Sequence, residues 1–258
     1  MKILAIIAGP VGKGNTYRTV QNVETHLKGL DESIEFESLV LKDIDLQTCL
    51  GCFQCLARGE HLCPLKDGRE EVERKMAGCD GLIFASPVYV YNMSWLAKNF
   101  VDCFAYICHR PRFHGQRAMA VATTGGVGLG FTLFTLAFPL MTWGFDVVAR
   151  LGVECPPGKV APGKLAAIHR KNETATRRAA AGFYRSLTSN RKRRPRFIGI
   201  VGFMLQKAAF SQAPPDSADY RYWKNQGWLD KKTSYYYKTK ISLWQRWLAG
   251  VIARVAPL

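Results

Sequence analysis

A long apolar run is the first thing this 258-residue chain lacks. Its longest charge-free stretch, Ala118 to Phe145, is interrupted by glycines, threonines and Pro139. It therefore reads as strand, loop and helix and leaves no clear transmembrane helix. No small-residue cleavage site follows the apolar start, Lys2 to Ala8; a glycine-rich turn does. A buried strand is expected there instead of a leader, and with it a cytoplasmic protein. Carboxylates are scarce at one end only. Residues 161–258 carry 20 Lys and Arg against 4 Asp and Glu, while residues 1–160 carry 16 of each, so the whole excess of +16 lies beyond residue 160. Such a segment points to an acidic partner, nucleic acid or an anionic membrane surface, or to a merely solvated face. With 48% hydrophobic and 22% charged residues, a wholly disordered, collagen-like or disulfide-scaffold chain is excluded.

What is present is an alternation of strand and helix patterns. Lys2–Ala8, Ile34–Leu41, Gly81–Ser86, Arg117–Thr123 and Phe145–Val153 read as five strands, with Gly9-Pro10, Pro87 and Gly125-Gly126 as stops. Val20, Val23, Leu27 and Leu30 fall at helical spacing between the first two. The pattern predicts an α/β fold with a parallel sheet. Ligands of such sheets bind beyond the carboxyl ends of the strands. The three most suggestive loops, residues 9–16, 86–94 and 123–130, all lie there.

Gly9-Pro-Val-Gly-Lys-Gly14 has the glycine spacing of a nucleotide P-loop, but Asn15-Thr16 stands where Lys-Ser/Thr must follow. A terminal monophosphate needs neither of those residues. It can rest on backbone N–H groups at a helix start, with hydrogen bonds from Asn15 and Thr16. A dinucleotide fingerprint is missing as well, because Tyr17 occupies the third glycine position. The competing reading is an ordinary turn with Thr16 as helix N-cap.

Cysteines are concentrated. Cys49, Cys52, Cys55 and Cys63 fall within fifteen residues, the first three at every third position. A compact loop of this kind can direct thiolates at one small centre, and a cubane 4Fe-4S cluster takes four of them. Zinc is the rival, usually with two separated Cys-x-x-Cys pairs; unmetallated thiols are the third reading. Disulfides would be strained at this spacing. Cys79, Cys103, Cys108 and Cys155 are assigned to core or interface.

The first loop resembles the Gly-Ser-Pro-Arg-x-x-Gly-Asn-Thr phosphate loop of the flavodoxin-like, NAD(P)H-dependent FMN reductases. Ser86-Pro87-Val88-Tyr89-Val90-Tyr91-Asn92-Met93-Ser94 resembles that superfamily's segment along the flavin, and Lys98-Asn99-Phe100-Val101-Asp102 its following helix. Thr123-Thr124-Gly125-Gly126 is similar to the loop near the pyrimidine edge of the isoalloxazine. The resemblance covers roughly residues 1–155 and implies a flavodoxin-like, doubly wound, five-stranded parallel sheet carrying FMN. It implies Gly9, Gly14, Asn15 and Thr16 at the phosphate, and Pro87, Val88, Tyr89, Tyr91 and Asn92 along the flavin. Thr123, Thr124, Gly125 and Gly126 would meet the ring edge, their backbone N–H groups facing charge that develops at N1. Flavin N5 carries the chemistry, so no catalytic side chain is expected. Tyr89 and Tyr91 either pack on the ring or belong to the core. Gly9, Val11 and Cys103 depart from the usual Ser, Arg and Arg; the first two changes weaken phosphate binding, the third removes a packing contact. The cysteine run resembles that of the iron–sulfur flavoproteins, which implies a 4Fe-4S cluster on Cys49, Cys52, Cys55 and Cys63 and one-electron transfer to and from FMN. NAD(P)H is a candidate donor, the acceptor a small-molecule or protein redox partner, and a homo-oligomer is expected. The competing functions are a cluster-free NAD(P)H-dependent FMN or quinone reductase, and a zinc-bearing membrane-surface or nucleic-acid adaptor.

Pro156-Pro157-Gly158 and Pro162-Gly163 mark a boundary between a domain at 1–160 and a basic, aromatic-rich, mainly helical or irregular extension at 161–258. A helix over Ala166–Leu187 precedes the run Arg191-Lys192-Arg193-Arg194-Pro195-Arg196, and Phe197–Leu205 is too short to span a bilayer. Tyr220–Trp228 and Tyr235–Tyr237 resemble aromatic tails of some flavodoxin-family reductases. Ile241, Trp244, Leu248, Val251, Ile252 and Val255 form an apolar stripe with Arg246 and Arg254 beside it. This composition suits a peripheral membrane segment on the inner face of the membrane, or helices packed on the core or a second subunit. Nucleic acid is disfavoured for want of a reading motif. Arg110, Arg112 and Arg117 either meet a nicotinamide phosphate or form a solvated turn, the better expectation; Cys108-His109 and His114 read as a metal site or, better, as surface loop, and His61 as a hydrogen-bond donor to a cluster sulfur or, better, as solvated.

Overall fold

Apolar runs without polar alternation become strands covered on both faces, and Lys2–Ala8, Gly81–Ser86 and Arg117–Thr123 do so here, whereas Ile34–Leu41 and Phe145–Val153 supply only partly buried strands at the two sheet edges. The computed structural model describes residues 1–189 and 195–255. Its elements are β1 (Lys2–Ile7), α1 (Asn15–Lys28), β2 (Glu35–Val40), α2 (Gln54–Ala57), α3 (Arg69–Ala77), β3 (Gly81–Tyr89), β4 (Asn92–Met93), α4 (Trp95–Cys103) and α5 (Tyr106–His109). They continue with β5 (Arg117–Thr124), α6 (Leu129–Thr142), β6 (Asp146–Glu154), α7 (Pro162–Leu187), α8 (Phe197–Ser211), α9 (Ala218–Asn225) and α10 (Leu243–Val255). Five parallel strands take the order β2-β1-β3-β5-β6, and β4 hooks antiparallel onto the end of β3. The chain turns outward from β1 to β2 and then crosses to β3, so the strand order switches between β1 and β3.

The chain forms two compact units, described separately below. The first comprises Met1–Leu50, Leu65–Phe104 and Gly115–Asn190; the second comprises Gly51–Pro64, Ala105–His114 and Arg191–Leu258. In the first unit, α1 and α7 cover one sheet face. Val20, Val23 and Leu27 of α1 and Ala180 and Phe183 of α7 pack on Ile3, Ile7, Ile83, Met119 and Val121. Aromatic rings build the other side. Phe100 packs against Phe84 at 5.3 Å and against Trp143 at 5.8 Å between ring centroids. Burial of one such ring stabilises the fold by roughly 1.5–3 kcal/mol.

Two expectations about boundaries change. β3 runs through Pro87, because β1 pairs with β3 only as far as Ile7 opposite Ala85. Beyond that point the missing proline N–H costs no ladder hydrogen bond on that side. The units also do not divide at residue 160: α7 belongs with the sheet. Its basic residues Lys164, Arg170, Lys171, Arg177, Arg178 and Arg185 are all exposed, while Thr176, Ala180 and Phe183 are buried. The outer face supplies the charge and the inner face completes the core.

In the second unit the aromatic residues make a small core. Phe203, Trp223 and Trp228 are buried with Tyr236 against them. The rings meet edge to face, Phe203 with Tyr236 at 4.8 Å and Trp228 with Tyr236 at 4.9 Å, the favoured arrangement for aromatic quadrupoles. The polar ends are satisfied: Trp223 Nε1 donates to His109 O at 2.7 Å and Trp228 Nε1 to Tyr236 O at 3.2 Å. Among the described residues no helix is long and apolar enough to cross a membrane. Arg191, Lys192, Arg193 and Arg194 of the basic run lie outside the described residues.

Candidate functional site

The three loops singled out in the sequence meet at the carboxyl edge of the first unit. The first leaves β1 with the Ala8 N–H donating to Ala85 O at 2.8 Å, then turns on a Gly12 N–H to Gly9 O bond of 2.9 Å. Gly12 sits at φ +74, a backbone region that favours glycine. The N-cap of α1 is Gly14, so no side chain caps the helix. Its first-turn N–H groups are therefore available to an anion, aided by the helix dipole. Thr16 is not the N-cap. It is buried one position inside the helix, its Oγ1 sharing a 2.8 Å hydrogen bond with Thr123 Oγ1 of the third loop.

Ser94 joins the first loop to the second. Its Oγ donates to Ala8 O at 2.6 Å and accepts the Ala97 N–H at 3.2 Å as N-cap of α4, while its N–H donates to Ser86 Oγ at 2.9 Å. Pro87 and Val88 are half-buried, and Tyr89, Tyr91 and Asn92 are exposed. The tyrosine rings are thus available to a flat ligand and are not core. Val90 at φ +48 and Tyr91 at φ +62 form the two-residue connection from β3 to β4. Both torsions are those of a type I′ turn, which here lacks its usual Asn-Gly.

Thr123 and Thr124 are buried at the end of β5. Thr124 Oγ1 accepts the Gly126 N–H at 3.1 Å and donates to Val127 O at 2.9 Å. The Gly126 N–H, expected to face a ligand, is held by the loop's own threonine. Gly128 at φ +97 lies so near the second loop that a Cβ would stand 2.9 Å from Val88 Cγ1 and 3.1 Å from Tyr91 Cα. Thr132 Oγ1 also donates to Tyr91 O at 3.1 Å. A cleft of about 500 Å³ between α1 and α7 touches this site only at Asn15.

These residues fit FMN on two grounds. The uncapped helix start suits a terminal phosphate, and at Gly9 a Cβ would meet nothing closer than 3.7 Å, leaving room where a serine is usual. The cysteines are a different case. Cys49 is anchored in the first unit, its N–H donating to Asn99 Oδ1 at 3.0 Å while Asn99 Nδ2 donates to Gln47 O at 3.2 Å. Cys52, Cys55 and Cys63 lie in the second unit on an irregular backbone with positive φ at Phe53 and Gly59. The donor set suits a thiolate-bound metal. Among the described residues no group of three or more His, Cys, Asp or Glu side chains is gathered to hold a metal ion.

The sequence pattern of the NADPH-dependent FMN reductases matches residues 1–151. The chain belongs to this family. Two curated relatives are an iron–sulfur flavoprotein of Archaeoglobus fulgidus, 33% identical over 129 residues (50% of this chain, 56% of that one), and an iron–sulfur flavoprotein of Methanocaldococcus jannaschii, 35% identical over 102 residues (40% and 51%). The chain thus spans about half the length of the curated relatives it matches. Among solved structures, RosB with bound 8-demethyl-8-formylriboflavin-5'-phosphate aligns with a TM-score of 0.56 at 15% identity, covering 72% of this chain and 79% of that one. That likeness shares the flavodoxin-like fold.

Several residues of this FMN reductase family member carry more than their sequence context indicated. Ser94 and Asn99 tie loops together, and only a pattern of small polar residues next to a helix start signalled the first. Arg110 is 2% exposed, not part of a solvated turn. It pairs with Asp219 and with Glu60 at 3.0 Å, and donates to the carbonyls of Cys55 at 2.5 Å and Leu56 at 3.3 Å. Arg112 pairs with the same Glu60 at 3.0 Å, and Arg117 donates to Ser186 O at 3.3 Å. The segment 105–114 is likewise no surface loop: Tyr106, Ile107 and Phe113 are buried. His61 is exposed.

Proposed function

We propose that the chain is an FMN-dependent oxidoreductase of the iron–sulfur flavoprotein kind, moving electrons between a reductant such as NAD(P)H, FMN, a 4Fe-4S cluster and a small-molecule or protein acceptor. The observation that carries the flavin reading is the convergence of three loops, joined by the Thr16–Thr123 and Ser94–Ala8 hydrogen bonds around an uncapped helix start. Gly14, Asn15 and Thr16 would hold the phosphate through backbone N–H groups. Tyr89, Tyr91 and Asn92 would flank the ring, with Thr124 and Gly125 at its edge. Bound FMN supplies acceptance of a hydride and its release as single electrons. The chain's part is to orient the ring and exclude water, which needs no side-chain acid or base.

Cys49, Cys52, Cys55 and Cys63 would hold the cluster. Support comes from four thiols in fifteen residues and from the iron–sulfur flavoprotein relatives. The cluster-free NAD(P)H-dependent FMN or quinone reductase is a second reading, supported by the match of residues 1–151 to the NADPH-dependent FMN reductases. A homo-oligomer is part of the same proposal, supported by the exposed Phe131, Phe134 and Phe138 along α6. Anaerobic purification followed by flavin, iron, acid-labile sulfide and zinc assays on one sample separates these readings. FMN with about four iron and four sulfide per chain is expected. Flavin without iron leaves the simple reductase, and zinc without flavin overturns both in favour of an adaptor.

A further inference from the structure

The second unit carries an apolar surface that its own core does not explain. α8 and α10 pack together through Ile200, Val201 and Ala249, with Phe197, Ile241 and Ile252 at the margin. That contact uses one side of α10. Leu243, Trp244 and Trp247 remain 84%, 61% and 70% exposed, and Ile198 at the start of α8 is 70% exposed. Phe197 stacks on Trp244 with ring centroids 6.1 Å apart, so the exposed residues of both helices border one another. A monomeric surface rarely leaves two tryptophans and two aliphatic side chains in water together. Between the helices a pocket of about 230 Å³ is lined by Pro195, Ile200, Lys240, Ile241 and Trp244.

The segment that carries α10 is positively charged. From Lys231 to Leu258 the sequence holds six Lys and Arg and no Asp or Glu. Lys238, Lys240 and Arg246 are exposed, and Lys240 lines the pocket with Trp244. A second copy docking symmetrically on this face would set these cations against their own images. A nucleic acid would match the charge but would leave Leu243 and Ile198 without an apolar partner. An anionic lipid surface satisfies both, because aliphatic side chains enter the acyl boundary, tryptophans sit at headgroup depth and cations meet the phosphates. The indole is suited to that boundary, with an apolar body and one polar N–H.

We infer that the α8–α10 face is a peripheral docking surface for an anionic lipid bilayer, with Leu243, Trp244, Trp247 and Ile198 inserted and Lys238, Lys240 and Arg246 on the headgroups. The inference does not rest on the flavin or cluster reading. The test is co-sedimentation of the full chain with vesicles of phosphatidylcholine alone and of phosphatidylcholine mixed with phosphatidylglycerol. Binding to the mixed vesicles, weakened by salt, is expected, and Leu243→Ser with Trp247→Ser lowers the partition coefficient about tenfold or more. Lys238→Gln with Lys240→Gln lowers it on the mixed vesicles. Both variants keep the wild-type melting temperature and flavin content, because the side chains stand outside the core. Failure to bind the mixed vesicles at low salt overturns the proposal, as does equal binding by the Leu243→Ser/Trp247→Ser variant. A fall in the mass measured by light scattering for that variant, without vesicle binding, assigns the face to a second copy instead.

Discussion

Arg110 illustrates how much one side chain can do when it is buried. A guanidinium removed from water is costly unless paired and hydrogen-bonded, and Arg110 has two carboxylates and two carbonyls around it. Burial alone would raise the Glu60 carboxyl; a backbone N–H together with Arg110 and Arg112 holds it below its ordinary value instead. Its contribution is therefore present above the ordinary carboxylate range and lost as the pH falls through it. Arg110→Met leaves buried Asp219 with the His109 ring, 2.7 Å away, in place of a guanidinium and is expected to cost about 3–5 kcal/mol in urea unfolding. Arg110→Met with Asp219→Leu removes both charges and should recover much of that loss; a double variant as unstable as the single one would show that the pair is not the cause. His114 gives a pH signature. Burial lowers its pKa from 6.5 to about 4, and its Nε2 has no hydrogen-bond partner among the described residues while the ring stacks on Tyr236 at 4.7 Å. The unfolded chain takes up the proton first, so stability is complete above 6.5 and falls by roughly 3 kcal/mol towards pH 4. His114→Phe should flatten that part of the stability profile. Neither residue was legible in the sequence, because Arg110 and Asp219 are 109 positions apart and a solvated turn has the same local composition.

The loops show the converse at the level of elements. Their glycines, threonines and prolines mark three loops at the carboxyl edge of the sheet, since turn chemistry after an apolar run is a local signal. What the local signal could not supply is how closely the loops approach. Gly128 is the point of nearest contact between the third loop and the second. Gly128→Ala adds a Cβ at positive φ against Val88 and Tyr91 and is expected to cost about 1–3 kcal/mol, with weaker FMN binding measured by flavin fluorescence on the same sample. The β3–β4 turn offers an opposite effect. Val90 is a β-branched residue at φ +48 with an exposed side chain, so Val90→Gly relieves strain without uncovering core. Thermal unfolding should show a gain of about 1 kcal/mol. If the melting temperature falls instead, the unfolded-chain entropy that glycine adds outweighs the strain at Val90.

At the scale of the whole molecule, composition was a poor guide to where one unit ends. Charge changes at residue 160, but α7 carries its cations outward and its apolar face into the sheet core. Residues 51–64, which hold Cys52, Cys55 and Cys63, and residues 105–114 belong instead with the residues after 190. Such pairing between distant segments leaves no local pattern, whereas the apolar runs of the three central strands and the turn residues around all five are local signals that located the sheet. The second unit therefore should not behave as an appendage. Removing residues 190–258 takes away Asp219 from Arg110, Trp223 from the His109 carbonyl and the Tyr236 ring from His114. A chain ending at Ser189 is expected to keep amide-exchange protection in β1, β3 and β5, whose partners all lie in the first unit. Residues 51–64 and 105–114 should lose theirs, and Cys52, Cys55 and Cys63 should react faster with thiol reagents. Protection in those segments equal to that of the full chain would mean that they fold without the later residues, and the segment beyond 190 would then be an appended tail. Loss of protection confined to them makes it a structural partner of the cysteine segment, so that any metal assembled there depends on residues more than 100 positions away in the sequence.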